Sequence, residues 1–232
     1  VSIGVSGWLL HPSDVTAPWR PISASTTEPF ALRWELDALL HLGTSLASVL
    51  RSRAWRAAQM ELAQQVLLRS AAAALWPVTL VSAASSWLDN PFGVARARAD
   101  KAGLVLADAL AREKVQGARP VSLVGYSLGA RVVFACLSEL ARQRCFGVVE
   151  NAVLMGAAAP AEPGAWRRAR SVVAGRLVNA WSGNDGVLAV VHRGTSPGKV
   201  WAGIAGLRAI TGVRGVENVD VSDLVSGHAK YR

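Results

Sequence analysis

Val121-Ser-Leu-Val-Gly-Tyr-Ser-Leu-Gly-Ala130 begins as a strand and ends as a helix. Pro120 opens the apolar run Val121, Leu123, Val124, and the residues after Gly129 place Val132, Val133, Cys136, Leu137 and Leu140 at helical spacing. Between them stands Gly125-Tyr126-Ser127-Leu128-Gly129, a G-x-S-x-G turn in the strand–turn–helix setting of a nucleophile elbow. A turn this tight forces Ser127 into strained backbone angles. Its flanking glycines leave room for the neighbouring strand and helix. The hydroxyl is then presented at the C-terminal edge of a sheet and the positive end of a helix.

Working outward, strand candidates at Val121–Val124, Val149–Met155, Arg176–Trp181 and Val216–Val221 alternate with helix candidates at Leu128–Arg142, Pro163–Ala169 and Gly186–His192. Such alternation predicts an α/β fold, a mainly parallel sheet flanked by helices. Upstream, Val1–Val5 and Phe30–Trp34 read as two more strands, joined by a Pro/Ser/Thr-rich loop from His11 to Glu28. Residues 36–117 read as a helical insertion, with helices at Leu36–Leu50, Ala54 to about Ala74, and Pro91 or Val94 to Glu113. Within it, Ser70–Leu88 carries no charge, but Pro77 and five Ser or Thr residues interrupt it. That favours a buried or interfacial hairpin broken near Trp76-Pro77 over a membrane span. The insertion is expected to wall or lid the mouth over Ser127, with Trp76 and Trp87 near an apolar–polar boundary.

The 232 residues read as a single domain, 1–232. The absence of an initiator Met and the start directly on a strand point to a fragment lacking its N-terminal part. Half the residues are apolar (51%), and nine Trp outnumber four Phe and two Tyr. The net charge of +9 comes mainly from scattered Arg. With no long basic tract or aromatic-interleaved stripe, nucleic acid is not an expected partner; attraction to an anionic membrane surface fits the charge equally well. Cys136 and Cys145 suggest neither a disulfide framework nor a metal site, and a reducing, intracellular compartment is the default. No cofactor is called for.

A serine nucleophile needs a base and an acid, following it in chain order on loops at the same sheet edge. Only His192 and His228 come after Ser127. His192 falls in an apparent helix, whereas His228 lies in a loop beyond the last strand and is taken as the base. Asp185 sits in the turn-rich Ser182-Gly-Asn-Asp-Gly186 directly after a strand and is taken as the acid. Asp220 and Asp223 are its competitors. The oxyanion hole needs two backbone donors: the N–H of Leu128 after the nucleophile, and that of Trp8, with Gly7 allowing close approach after the first strand.

Ser6-Gly-Trp-Leu9, Ala31-Leu-Arg-Trp-Glu35, Asp89-Asn-Pro-Phe92, the long string Arg119–Arg131 and Leu154-Met-Gly-Ala157 resemble the DUF726 family, the group that contains transmembrane and coiled-coil domain-containing protein 4. So do Val172–Asn179, Asn184-Asp185, Val216–Val219 and Gly227-His228. The resemblance implies an α/β-hydrolase fold, membrane association, and a catalytic triad carried over onto Ser127, Asp185 and His228. Two departures are visible: Gly186 stands where the family tends to have a bulky aromatic, and Ala158-Ala159 widens the segment after Met155. The expected activity is that of a serine esterase or lipase acting on a lipid or other small ester. No protein partner is indicated. The rival expectation is a catalytically silent adaptor or trafficking module on the same fold.

Overall fold

A computed structural model describes residues 1–24, 27–51, 78–189, 203–225 and 227–231. Six strands form one sheet: β1 (Ser2–Val5), β2 (Pro29–Ala31), β3 (Val121–Tyr126), β4 (Val149–Met155), β5 (Leu177–Trp181) and β6 (Val216–Asp220). Their order is β2-β1-β3-β4-β5-β6 and every pairing is parallel. The fold is therefore α/β, as the alternation predicts. The strand order reverses between β1 and β3, because the chain steps outward to β2 and then returns across β1. In an open parallel sheet a ligand crevice forms at the C-terminal edge of such a reversal.

Four helices are named here: α1 (Leu36–Arg51), α2 (Val78–Asp108), α3 (Leu128–Arg142) and α4 (Pro163–Ser171). α3 is amphipathic, and the residues singled out by its spacing, Val132, Val133, Cys136, Leu137 and Leu140, are all fully buried. Burial also pushes the Cys136 thiol well above its usual pKa, which keeps it an inert packing residue. α4 starts at a Pro in its first turn, and the Glu162 carboxylate caps it by accepting N–H bonds from Gly164 and Ala165 at 2.7 and 2.6 Å.

Three expectations need correction. The second strand is Pro29–Ala31 rather than Phe30–Trp34. Trp34 leaves the ladder, becomes buried, and donates its indole N–H to the Ser6 carbonyl at 3.0 Å. The third helix of the insertion already includes Val78, the first described residue there, so Pro91 lies inside α2 rather than at its start. A proline costs one backbone hydrogen bond there, which a long packed helix tolerates. The loop from His11 to Glu28 contains two 3₁₀ helices, Pro12–Val15 and Ala17–Ala24, which carry Trp19 against Tyr126 with ring centroids 5.8 Å apart. The helix expected at Ala54–Ala74 and the break at Trp76-Pro77 lie outside the described residues.

The tryptophan excess finds a structural use. Trp8, Trp19, Trp34 and Trp166 are buried in the core. Three of these converge on the turn after β1: Trp19 donates to Ser6 Oγ at 3.1 Å, Trp34 to Ser6 O, and Trp8 follows in the chain. Ser6 Oγ in turn donates to the Asp14 carbonyl at 2.8 Å.

Candidate active site

The strand register brings the ends of β1, β3, β4, β5 and β6 to one edge. Val5 pairs with Gly125, Tyr126 with Met155, Met155 with Ala180, and Trp181 with Asp220. The residues just past those ends are Ser6, Ser127, Gly156, Ser182 and Val221. The segments expected to carry chemistry thus leave the sheet side by side.

Ser127 follows β3 at φ 57° and ψ −125°, an energetically costly conformation for a residue with a side chain. Its backbone is held on both sides. Ser127 N–H donates to Met155 O at 3.0 Å, and its carbonyl accepts N–H bonds from Arg131 at 3.2 Å and Ala158 at 3.3 Å. The glycine requirement at the turn is steric: a Cβ on Gly129 would come within 2.0 Å of the Val5 carbonyl oxygen. Gly7 is equally confined, because a Cβ there would meet Tyr126 O at 2.1 Å and Leu128 N at 2.5 Å. The turn after β1 therefore presses its backbone directly onto the first turn of α3, where helical N–H groups lack intrahelical acceptors. Tyr126 ties the two segments further, its hydroxyl donating to Trp8 O at 3.0 Å.

His228 lies beyond β6, on a single 3₁₀ turn, His228–Tyr231. Its Nε2 is 2.7 Å from Ser127 Oγ, and its Nδ1 is 2.6 Å from Asp185 Oδ2. An ionised carboxylate only accepts, so the ring donates from Nδ1 and Nε2 is left to accept the Ser127 hydroxyl proton. Asp185, in the loop after β5, has no exposed surface, and its second oxygen accepts the Leu188 N–H at 2.9 Å. The three residues form one buried, hydrogen-bonded row built from the loops after β3, β5 and β6.

The loops that carry Asp185 and His228 are sewn together. Ser182 Oγ donates to Val225 O at 3.1 Å, Asn184 Nδ2 to Ser222 O at 3.1 Å, and Gly183 N–H to Ser222 Oγ at 3.0 Å. Trp8 stacks on the His228 ring at 6.4 Å, and Tyr231 meets its edge at 6.1 Å. Burial first, and then the Asp185 carboxylate, push the Tyr231 phenol above its usual pKa, so it faces the row as a neutral group.

The competing acids lie elsewhere. Asp220 is exposed and accepts the Ser222 N–H at 2.9 Å, and Asp223 is exposed as well. His192 lies outside the described residues. Sequence reasoning does not single out Tyr231, Tyr126 or Arg131. Arg131 is largely buried, bonds Asp100 through two nitrogens at 2.8 and 2.9 Å, and donates to Ala158 O at 2.8 Å. Only its place at the end of the long Arg119–Arg131 string marks it.

A family model described as "Protein of unknown function (DUF726)" matches residues 1–232. An "Uncharacterized membrane protein" of Schizosaccharomyces pombe is 39% identical over 100% of this chain and 40% of its own length. "Transmembrane and coiled-coil domain-containing protein STS1" of Oryza sativa subsp. japonica is 41% identical over 100% of this chain and 34% of its own length. "Probable lipase MIL1" of Saccharomyces cerevisiae is 36% identical over 98% of this chain and 21% of its own length. The chain thus spans well under half the length of these curated relatives. Several relatives carry membrane-protein names, whereas no helix among the described residues is long and apolar enough to cross a membrane. No solved structure matches. With the family model covering its full length, the chain belongs to the DUF726 family.

Proposed function

We propose that this chain is a serine acyl-hydrolase of the α/β-hydrolase superfamily that cleaves a carboxylic ester, in the first instance a lipid ester. One observation carries the reading: the buried row Ser127–His228–Asp185 with contacts of 2.7 and 2.6 Å, its serine on a strained elbow. Chain order Ser, Asp, His and the placement of each after a parallel strand support the superfamily assignment.

In this mechanism His228 Nε2 takes the Ser127 proton as Oγ attacks the ester carbonyl carbon. The charge on the carbonyl oxygen is met by the N–H groups of Leu128 and Trp8, a pairing supported by the close approach of Gly7 to Leu128 N. Asp185 holds the useful ring tautomer and stabilises the imidazolium. His228 then gives its proton to the departing alcohol, leaving an acyl-Ser127. Water, deprotonated by His228, attacks the acyl carbon and releases the acid with Ser127 and the base restored. The lipid preference rests on a relative named as a probable lipase and on relatives named as membrane proteins. The apolar insertion supports it, since α2 lies over α3 beside the elbow.

A fluorophosphonate probe tests the reading. Ser127 is expected to be labelled covalently, and Ser127→Ala to abolish both labelling and hydrolysis of p-nitrophenyl butyrate while remaining folded. Wild-type protein that stays unlabelled would point instead to a silent adaptor on the same scaffold.

A further inference from the structure

A cavity of about 130 Å³ opens beside the elbow, lined by Phe92, Arg96, Arg131, Ala158, Leu188 and Ile204 among others. Three of its walls are one hydrogen bond from the row. Arg131 and Ala158 each donate a backbone N–H to the Ser127 carbonyl, and Leu188 donates to Asp185 Oδ1. The cavity exceeds the volume needed for several waters, and most of its surface is apolar apart from two guanidinium groups.

The charges in it do not balance. Phe92, Arg96 and Asp100 follow one another at four-residue spacing and share a face of α2. Asp100 gives both carboxylate oxygens to Arg131. Arg96 is half-buried, and among the described residues it makes no hydrogen bond or ion pair. Burial first, and then the neighbouring Arg131 cation, lower its pKa, with Asp100 opposing only in part. A partly desolvated guanidinium is ordinarily paired. Two cations and one anion leave a net positive charge facing a space of ligand size, next to a nucleophile.

We propose that this cavity seats an anionic phosphate group carried by the ester substrate, with the Arg96 fork as its ligand and Arg131, locked by Asp100, as the wall that positions it. The inference rests on the serine-hydrolase reading and narrows its substrate to phosphate-bearing acyl esters. A planar guanidinium matches two phosphate oxygens at once, which a point charge would not.

The test uses binding, so that it needs no turnover. Ser127→Ala protein is titrated calorimetrically with 1-O-octylglycerol 3-phosphate and with 1-O-octylglycerol, ethers that differ only in the phosphate. The phosphate ether is expected to bind at least tenfold tighter, and Arg96→Gln to cut that ratio by about ten- to a hundredfold, the range for a hydrogen-bonded charge. Arg96→Lys keeps a cation without the fork and is expected to retain part of the ratio; it carries the test if the glutamine variant does not fold. The exposed Arg142, remote on α3, serves as control: Arg142→Gln leaves the ratio unchanged. Equal affinity for the two ethers, or an Arg96 substitution that weakens both by the same factor, overturns the proposal. So does inorganic phosphate binding as tightly as the phosphate ether, since that would make the cavity a free-phosphate site. Failure of fluorophosphonate labelling would remove the hydrolase reading and leave these titrations to decide the anion site by themselves.

Discussion

Asp185→Asn separates the chemistry of the buried row from its packing. Asparagine has the shape of aspartate, so its Oδ1 still accepts the Leu188 N–H now made at 2.9 Å, and a residue with no exposed surface keeps its place. The other oxygen becomes an NH₂ group. It donates, and so cannot receive the His228 Nδ1 proton across the present 2.6 Å contact. The ring proton must move to Nε2, which then faces Ser127 Oγ at 2.7 Å as a donor. Ser127 loses its base while every backbone element stays put. A tautomer error of this kind in a Ser-His-Asp row costs about 10⁴ in kcat, or about 5.5 kcal/mol of transition-state stabilisation. Exchanging a charge-assisted hydrogen bond for a neutral one costs about 1–2 kcal/mol of stability, which in a chain this size lowers Tm by about 2–8 °C. Hydrolysis of p-nitrophenyl butyrate read beside a thermal melt measures both. Asp185→Ala is expected to match the asparagine variant in activity but to fall further in Tm, because it also loses the Leu188 bond. An asparagine variant within tenfold of wild-type kcat/KM would refute the reasoning.

Two further outcomes follow from particular contacts. Gly7→Ala places a Cβ 2.1 Å from Tyr126 O and 2.5 Å from Leu128 N, both backbone atoms that can move only by shifting the elbow. Overpacking of about 1–3 kcal/mol and a displacement near 1 Å are expected to lower kcat/KM by about 10², and unchanged kinetics and melting would show the segment to be slack. Glu139, bonded by Arg142 and then Gln143, has its pKa lowered from 4.5 to about 2. A lowered folded-state pKa adds stability above pH 4.5 that is lost as pH falls toward 2. Because Arg142 is largely exposed, the contribution is under about 1 kcal/mol. Glu139→Gln should therefore lower Tm by a few degrees at pH 7 and by nothing near pH 2, and a deficit that persists at pH 2 would assign the loss to packing instead.

What could be read from the sequence was local. The elbow is a contiguous motif: Gly125 has its steric reason within it, at Gly129 and Ala130, although that of Gly129 is the distant Val5 carbonyl. Chain order and turn chemistry restrict where an acid and a base can emerge, and they point to Asp185 and His228, the pair that lies in one hydrogen-bonded row with Ser127. The 3₁₀ helices at Pro12–Val15 and Ala17–Ala24 are not legible in the sequence, because prolines that break α-helical periodicity also initiate tighter turns. Trp34 reads as a strand residue because its apolar character fits a ladder; its role is set by Ser6, 28 positions away in the chain. The Arg131–Asp100 pair spans 31 positions, and the Arg96 cavity joins α2 to α3 and to the segments after β4 and β5. No periodicity reports such contacts, since they depend on how an insertion docks.

That docking connects the cavity to the strain at Ser127. A residue held at φ 57° costs about 1–3 kcal/mol and persists only when its surroundings over-determine it. Here its N–H is fixed by β4 and its carbonyl by Arg131 and Ala158. Arg131 is itself fixed by the α2 carboxylate Asp100, and it returns a side-chain bond to Ala158 O. The insertion therefore does two jobs with one face. Asp100 steadies the groups that hold the elbow, and Arg96, one helical turn earlier, projects into the space beside it. A shift of α2 would alter serine presentation and the anion cavity together. On the proposed reading, that common support would couple recognition of the charged group to alignment of the nucleophile.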